Sequence, residues 1–262
     1  MSLEYIASRQ NSLVKELKKL AGSKRARSET GLVLSEGTHL LQTMLDAGVR
    51  PCVVAVTERL SSDPTTLSLL LACEGARSVS IADAVFDQIA PADSPVGLLA
   101  LSPLKSSFMP PDTEIDTLVL ESIQDPGNVG SLIRTAVAAG ISQIVLSPGC
   151  ADVWSPRCLR SAQGAQWLAR VYTDVPLPVF LQSYQGEVTA TVLENGQSLY
   201  RQNLIQPVAW LFGNEGQGLT EEIMTFARRR ITIPMPGAME SLNVNAAAAV
   251  CLFEQVRQRQ LA

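Results

Sequence analysis

The chain has 262 residues, of which 46% are hydrophobic and 18% are charged, and its net charge is −4. This composition supports one or two packed domains, gives no reason to expect disorder, and by itself argues against a nucleic-acid partner. No apolar run reaches the roughly 18 residues of a membrane span, and the N-terminus lacks the layout of a secretory signal, so we expect a cytoplasmic protein without membrane contact.

The first 27 residues differ in charge from the rest of the chain. They contain seven basic residues and only two acidic ones. Because a polyanion responds to the local potential, this segment is interpreted as a basic N-terminal arm that can contact a polyanion. On charge alone, a solvated helix face is an equally good interpretation.

Two segments of alternating strand and helix patterns are separated by a proline-containing linker at residues 103–116. Residues 1–102 form the first predicted domain, a small α/β domain of a size that binds RNA in many proteins, although the fold alone does not establish that role. Its predicted helices cover 12–20, 38–47 and 65–73, and its predicted strands cover 32–34, 52–56, 78–81 and 96–101.

Residues 117–262 form the second predicted domain. Its predicted strands cover 117–120, 143–146, 168–172, 187–192, 207–212 and 230–233, and its predicted helices cover 129–139, 156–165, 220–227 and 241–259. This alternation predicts a parallel sheet with helices on both faces. Such a sheet binds ligands beyond the carboxyl ends of its strands, so functional residues are expected in the loops at those ends.

The first of these loops contains Asp125-Pro126-Gly127-Asn128 and leads into a helix with Arg134. The Pro–Gly pair predicts a turn, and asparagine tolerates the unusual backbone angles that a ligand loop often needs. Arg134 is expected to face back towards the end of the loop. On composition alone, an ordinary turn followed by a surface arginine is the more economical interpretation.

The second loop carries three glycines, Gly213, Gly216 and Gly218. They allow the backbone to approach a ligand closely. Their spacing and their place after a late strand differ from the glycine loop of a nicotinamide site, which follows the first strand. Glu215 lies between the glycines and is predicted to contact a ligand.

The third loop, residues 231–245, contains Pro234 and Pro236, which force an extended path and leave carbonyl groups free to accept hydrogen bonds. Ser241 is predicted to cap the last helix. Asn243 and Asn245 are weak helix formers in the predicted first turn, which indicates a binding edge.

The chain has five cysteines without a C-x-x-C pair and one histidine, His39. A Cys/His zinc site and a histidine-dependent hydrolase triad are therefore difficult to build, and we expect no metal. The cysteines are interpreted as small buried residues, and His39 as a surface or capping residue.

Taken together, the three loops resemble the signature motifs of the SpoU/TrmH family of RNA ribose 2′-O-methyltransferases, in the SPOUT superfamily. The matching segments are residues 125–136, 212–219 and 233–245, which occur in the family's order. Residues 30–101 resemble, more weakly, the family's ribosomal-protein-like substrate-binding domain. Val129, Ser131 and Asn245 differ from common choices in the family, and no family-critical side chain is missing.

The resemblance implies a deep trefoil knot in the carboxyl-terminal domain, a homodimer, an RNA substrate, and S-adenosyl-L-methionine as the cofactor bound in the knot. It implies a catalytic set that comprises Arg134, Asn128, Glu215, Ser241 and Asn243. It implies a cofactor-binding set that comprises Gly213, Ile233, Leu242, Met235 and Asn243.

The family's usual proposal gives the matching arginine the role of proton acceptor, which is physically demanding because the guanidinium pKa exceeds about 12. We expect instead that Arg134 orients the ribose hydroxyl and stabilises the developing alkoxide. Asn128 and Glu215 are expected to hold the arginine. Ser241 and Asn243 are expected to shape the pocket.

Ribosomal RNA is favoured over transfer RNA as the substrate, by analogy with the family. A non-catalytic RNA-binding or ribosome-assembly protein with the same fold is the main alternative. A nucleotide-binding oxidoreductase is a further alternative, since α/β folds host many functions.

Overall fold

The computed structural model describes residues 3–91, 95–105 and 109–260. They form two compact units. The first unit contains the chain up to residue 105 and also the segment Asp152–Trp167, which lies between two strands of the second unit in the sequence. The alternation of strands and helices does not predict this return. Residues 106–108 of the predicted linker lie outside the described residues.

The first unit contains a five-stranded mixed sheet in the order β1-β4-β3-β5-β2. Strand β5 is antiparallel to both of its neighbours, and the other pairs are parallel. Only β1 was not predicted, because three residues are too few to show an alternating pattern. The strands are β1 (Glu4–Ile6), β2 (Leu32–Glu36), β3 (Val53–Thr57), β4 (Arg77–Ile81) and β5 (Leu98–Pro103).

The second unit contains a seven-stranded sheet in the order β10-β12-β9-β11-β6-β7-β8, and every pair in it is parallel. The predicted parallel sheet is therefore confirmed. The strands are β6 (Thr117–Leu120), β7 (Gln143–Leu146), β8 (Arg170–Tyr172), β9 (Glu187–Thr191), β10 (Gln197–Ser198), β11 (Val208–Phe212) and β12 (Arg229–Thr232).

Helices cover both sheets, and several of them are shorter than predicted or were not predicted. The predicted helix 156–165 is two short helices, because Gln163 and Gly164 between them both have positive φ. The helices are α1 (Ser12–Gly22), α2 (Lys24–Thr30), α3 (Thr38–Asp46), α4 (Pro64–Ala72), α5 (Asp83–Phe86), α6 (Pro126–Ala138), α7 (Pro156–Ala162), α8 (Ala165–Leu168), α9 (Leu177–Ser183), α10 (Glu221–Met224) and α11 (Val244–Gln260).

Each unit has its own apolar core. In the first unit, β1 and the buried face of α1, with Leu13, Leu17 and Leu20, belong to one cluster with the sheet. In the second unit, α9 and α10 pack against β9 and β11. None of the helices in the described part of the chain has both the length and the apolar character to cross a membrane.

The basic N-terminal segment is part of the folded first unit, so its interpretation as an arm is wrong. Strand β1 pairs with β4, and α1 buries one face. Arg27 is buried, and its Nη2 donates to Asp152 Oδ2 over 2.6 Å, so it is not available to a ligand. The other six basic residues of the segment are exposed.

His39 is exposed on α3, as predicted. Cys73, Cys158 and Cys251 are buried, also as predicted. The prediction of buried cysteines is wrong for Cys52, which lies on the surface just before β3.

Candidate functional site

The first loop is shorter than predicted because α6 begins at Pro126 and not at Val129. Asp125 caps the helix, since its Oδ1 accepts from the Asn128 N–H over 2.9 Å, and Pro126 favours the first helical position. Asn128 therefore lies in the first helical turn. The unusual backbone angle belongs to Ser122 instead, with a φ of 52°.

The end of β6 holds the second loop through two hydrogen-bonded contacts. The buried carboxylate of Glu121 accepts from the Thr220 N–H over 2.8 Å and from its hydroxyl over 2.6 Å. The carbonyl of Ser122, in its positive-φ conformation, accepts from Asn214 Nδ2 over 2.9 Å. The two ends of the glycine loop are thereby fixed to the first loop.

The glycine loop folds into a closed turn. Asn214 and Gly218 exchange two backbone hydrogen bonds, and Asn214 Oδ1 accepts from the Gly216 N–H over 2.9 Å. A Cβ on Gly213 would lie 2.2 Å from the backbone carbon of Gly218, so no larger residue fits there. Gly218 adopts a positive φ of 72°, so Gly213 and Gly218 serve the tight turn itself.

Glu215 projects from this turn towards the first turn of α6. Its Oε1 accepts from Asn128 Nδ2 over 2.9 Å, and its carboxylate also accepts longer bonds from the N–H groups of Gln124 and Asp125. Burial by itself would raise the pKa of Glu215. Hydrogen bonds from Asn128, from its own N–H and from the two loop N–H groups outweigh burial and hold the pKa below its ordinary value.

The third loop is longer than predicted, because α11 begins at Val244 and not at Ser241. Asn243 occupies the capping position: its Oδ1 accepts from the Asn245 N–H over 2.9 Å, and its carbonyl accepts from the Ala247 N–H. The prediction of Ser241 as the cap is therefore wrong. Ser241 is exposed in the loop before the helix.

A chain of side-chain amides joins all three loops. Asn245 Nδ2 donates to Asn128 Oδ1 over 2.7 Å, and Asn128 Nδ2 in turn donates to Glu215 Oε1. The three loops that follow different strands therefore meet at one edge of the parallel sheet, where doubly wound folds bind ligands.

A cavity of about 630 Å³ opens at the carboxyl ends of β9, β11 and β12. Its size is that of a small-molecule site. Its lining includes the sequence-predicted residues Gly213, Glu215, Ile233, Met235, Ser241, Leu242 and Asn243.

Two members of the expected catalytic set lie outside this lining. Asn128 donates a hydrogen bond to Glu215 of the lining, and Arg134 is exposed on α6. Within the described residues of this one chain, no hydrogen bond joins Arg134 to Asn128 or Glu215, and the expectation that these two hold the arginine stays a prediction. Asn128 and Glu215 hold each other.

Sequence reasoning missed several residues that build the site. Glu121, Asn214 and Thr220 connect the first two loops. Asn245 was predicted at a binding edge, but its contact with Asn128, which connects the first and third loops, was not. Glu121 carried a usable signal, since an acidic residue directly follows a wholly apolar strand and is expected to be paired.

A model of the SpoU rRNA Methylase family matches residues 117–253. A model of the MRM3-like substrate binding domain matches residues 11–100. The first matched range includes all three loops, and the second includes strands β2, β3 and β4 and the start of β5.

The chain is 35% identical to an uncharacterized tRNA/rRNA methyltransferase of Synechocystis, over 97% of this chain and 94% of that protein. It is 30% identical to the 23S rRNA (guanosine(2553)-2′-O)-methyltransferase RlmP of Bacillus subtilis, over 96% of this chain and 98% of that protein. An AdoMet-bound rRNA methyltransferase from Sinorhizobium meliloti superposes with a TM-score of 0.82 at 27% identity, covering 97% of this chain and 98% of that one.

The lowered pKa of Glu215 predicts a pH-dependent contribution to stability. The carboxylate stabilises the fold above its unfolded-state pKa of about 4.3, and this contribution is lost as the pH falls through the lower folded-state pKa. The difference in urea unfolding free energy between wild type and Glu215→Gln should therefore shrink from pH 7 to pH 3. Glu194→Gln, at the same cavity, is the control. A Glu215→Gln difference that is constant with pH would contradict this account.

Proposed function

The chain belongs to the SpoU rRNA Methylase family of RNA 2′-O-methyltransferases, and from this premise we propose that it transfers a methyl group from S-adenosyl-L-methionine to a ribose 2′-hydroxyl of ribosomal RNA. The observation that carries the proposal is the meeting of the three loops at a single cavity. Ribosomal RNA is preferred because the similar RlmP protein is a 23S rRNA methyltransferase. A ribosomal substrate is consistent with the expected cytoplasmic location.

The residues of the cavity fit S-adenosylmethionine. When bound, this molecule supplies an electrophilic methyl group on a sulfonium sulfur. Ile233, Met235 and Leu242 provide apolar contacts for a nucleoside, and the extended segment before α11 leaves backbone carbonyls free to accept hydrogen bonds. Glu194 and Glu215 are the acidic members of the lining, and a cationic ligand complements them.

In the proposed reaction the protein acts by orientation and electrostatics. Arg134 orients the 2′-hydroxyl and stabilises the negative charge that develops on its oxygen. A guanidinium does not readily accept the proton, so the proton leaves to water or phosphate. Asn128 and Glu215 fix the loop in front of α6, while Ser241 and Asn243 shape the pocket.

We also propose that the second unit is knotted. The connection between β9 and β11 passes outside β12, since its strand β10 pairs with the far side of β12. After β12 the chain returns past β9, and α11 packs against α6. Trp210 on β11 donates to Gln255 on α11 over 2.8 Å. This path supports a deep trefoil knot, an exception to the rule that chains do not thread loops.

A homodimer is the form in which we propose that the enzyme works. The described lining of the cavity contains no basic side chain, and Arg134 is exposed outside it. A second copy can bring its own arginine to this cavity. Exposed apolar residues of the second unit, such as Phe253 on α11, supply surface for the contact.

We assign RNA docking to the first unit and methyl transfer to the second unit, which contains the three loops. The exposed face of α1 carries Lys15, Lys18 and Lys19 at helical spacing, opposite its buried leucines. These side chains form a positive stripe on an acidic protein, which suits the phosphates of RNA.

The methyl-transfer proposal predicts that deleting the gene abolishes one ribose 2′-O-methylation in ribosomal RNA, detected by mapping ribose methylation in total RNA. Wild-type protein should restore the site. Arg134→Lys should not, because an ammonium lacks the planar fork of donors. Arg25→Lys, on the exposed part of α2, is the matched control and should restore it. An unchanged methylation map would contradict the proposal and favour a non-catalytic RNA-binding role.

The docking proposal predicts a weaker salt dependence of RNA binding when the stripe is neutralised. With Lys15→Gln and Lys19→Gln together, the slope of log K against log salt should fall by about 1.5, since two phosphate contacts are lost. Arg201→Gln and Arg230→Gln, exposed on the second unit, remove the same charge as a control. Equal slopes for the two double variants would argue against docking through α1.

A further inference from the structure

We propose that Asn245 is a positioning residue for methyl transfer, which acts by fixing the side-chain amide of Asn128. The inference rests on the proposed function. It concerns a residue at the start of α11 that lies outside the cavity lining.

The amide of Asn128 is held at both ends. Its Oδ1 accepts from Asn245 Nδ2 over 2.7 Å, and its Nδ2 donates to Glu215 Oε1 over 2.9 Å. A rotated Asn128 amide would turn its oxygen towards the Glu215 carboxylate, which only accepts. Asn245 thus provides the donor that the working orientation of Asn128 requires.

The amide of Asn245 keeps its own orientation at a cost. Its Oδ1 is buried and has no hydrogen-bond partner among the described residues. An unsatisfied buried acceptor is unfavourable. Rotating the amide would set its oxygen against the oxygen of Asn128, so Asn245 satisfies Asn128 and leaves its own oxygen unpaired.

Asn245 also connects the two halves of the site. Its backbone N–H donates to Asn243 Oδ1 over 2.9 Å, and Asn243 lines the cavity. One residue therefore holds both the side chain of Asn243, on the cofactor side, and that of Asn128, on the α6 side. A small misplacement of such groups is enough to slow a reaction substantially.

The test uses Asn245→Asp, which keeps the shape but exchanges the donor for an ionisable oxygen. The ionised side chain opposes the oxygen of Asn128, whereas the protonated one donates to it again. Glu215 and Asp125 both accept hydrogen bonds from Asn128, the partner of residue 245, and their negative charge raises the pKa of the new carboxyl. The ratio of variant to wild-type kcat for RNA methylation should therefore be low at pH 8 and rise severalfold towards pH 5.5.

Two variants act as controls. Asn245→Ala should lower kcat by about tenfold or more at every pH, with a constant ratio to wild type. Asn203→Asp should leave the ratio near one, because an aspartate can still accept from the Ile205 N–H as Asn203 does. Recovery of Asn245→Asp at low pH excludes misfolding, since a misfolded protein would not regain turnover.

A flat ratio for Asn245→Asp, or wild-type turnover of Asn245→Ala, would overturn the inference while the proposed function stands. A wild-type protein that methylates no RNA would overturn the proposed function, and the inference with it.

Discussion

The site depends on one charged interaction, the carboxylate of Glu215 held at the start of α6. It accepts from Asn128 Nδ2 and from two backbone N–H groups, and these bonds outweigh the burial that opposes its charge. Hydrogen bonds to a carboxylate are stronger than those between neutral groups. The glycine turn and the first loop are thereby held together, and Asn245 adds the third loop through Asn128.

The remainder of the second unit brings these groups to the same place. Seven parallel strands direct their carboxyl ends to one edge, and β9, β11 and β12 end at the cavity. Gly213 permits the turn that presents Glu215, because its missing Cβ leaves room for Gly218. Glu121 and Ser122 then fix the ends of that turn from β6. The loop is thus held by packing and hydrogen bonding within the chain itself.

Periodicity and apolar runs predicted the parallel sheet, with β6 and β7 at their observed bounds. The predicted site residues that line the cavity lie in loops that follow strands, and the ends of strands can be located from the hydrophobic pattern of the sequence. Helix starts were missed at Pro126 and Val244, where capping by Asp125 and Asn243 decides the boundary. The hydrogen-bond partners of the Asn128 side chain were also beyond prediction. They lie 87 and 117 residues away in the sequence, and the local pattern of residues does not reveal which distant side chains will meet.

The central claim is that the cavity of the second unit binds S-adenosylmethionine through the three loops. Hydrogen exchange with and without saturating S-adenosylmethionine tests it directly, because exchange slows where a ligand restrains the backbone. Slower exchange is expected in the segments 191–194, 213–219 and 233–244, each of which contributes residues to the cavity lining, and no change is expected in α1 to α5. Protection of the first unit alone, or of no segment, would contradict it.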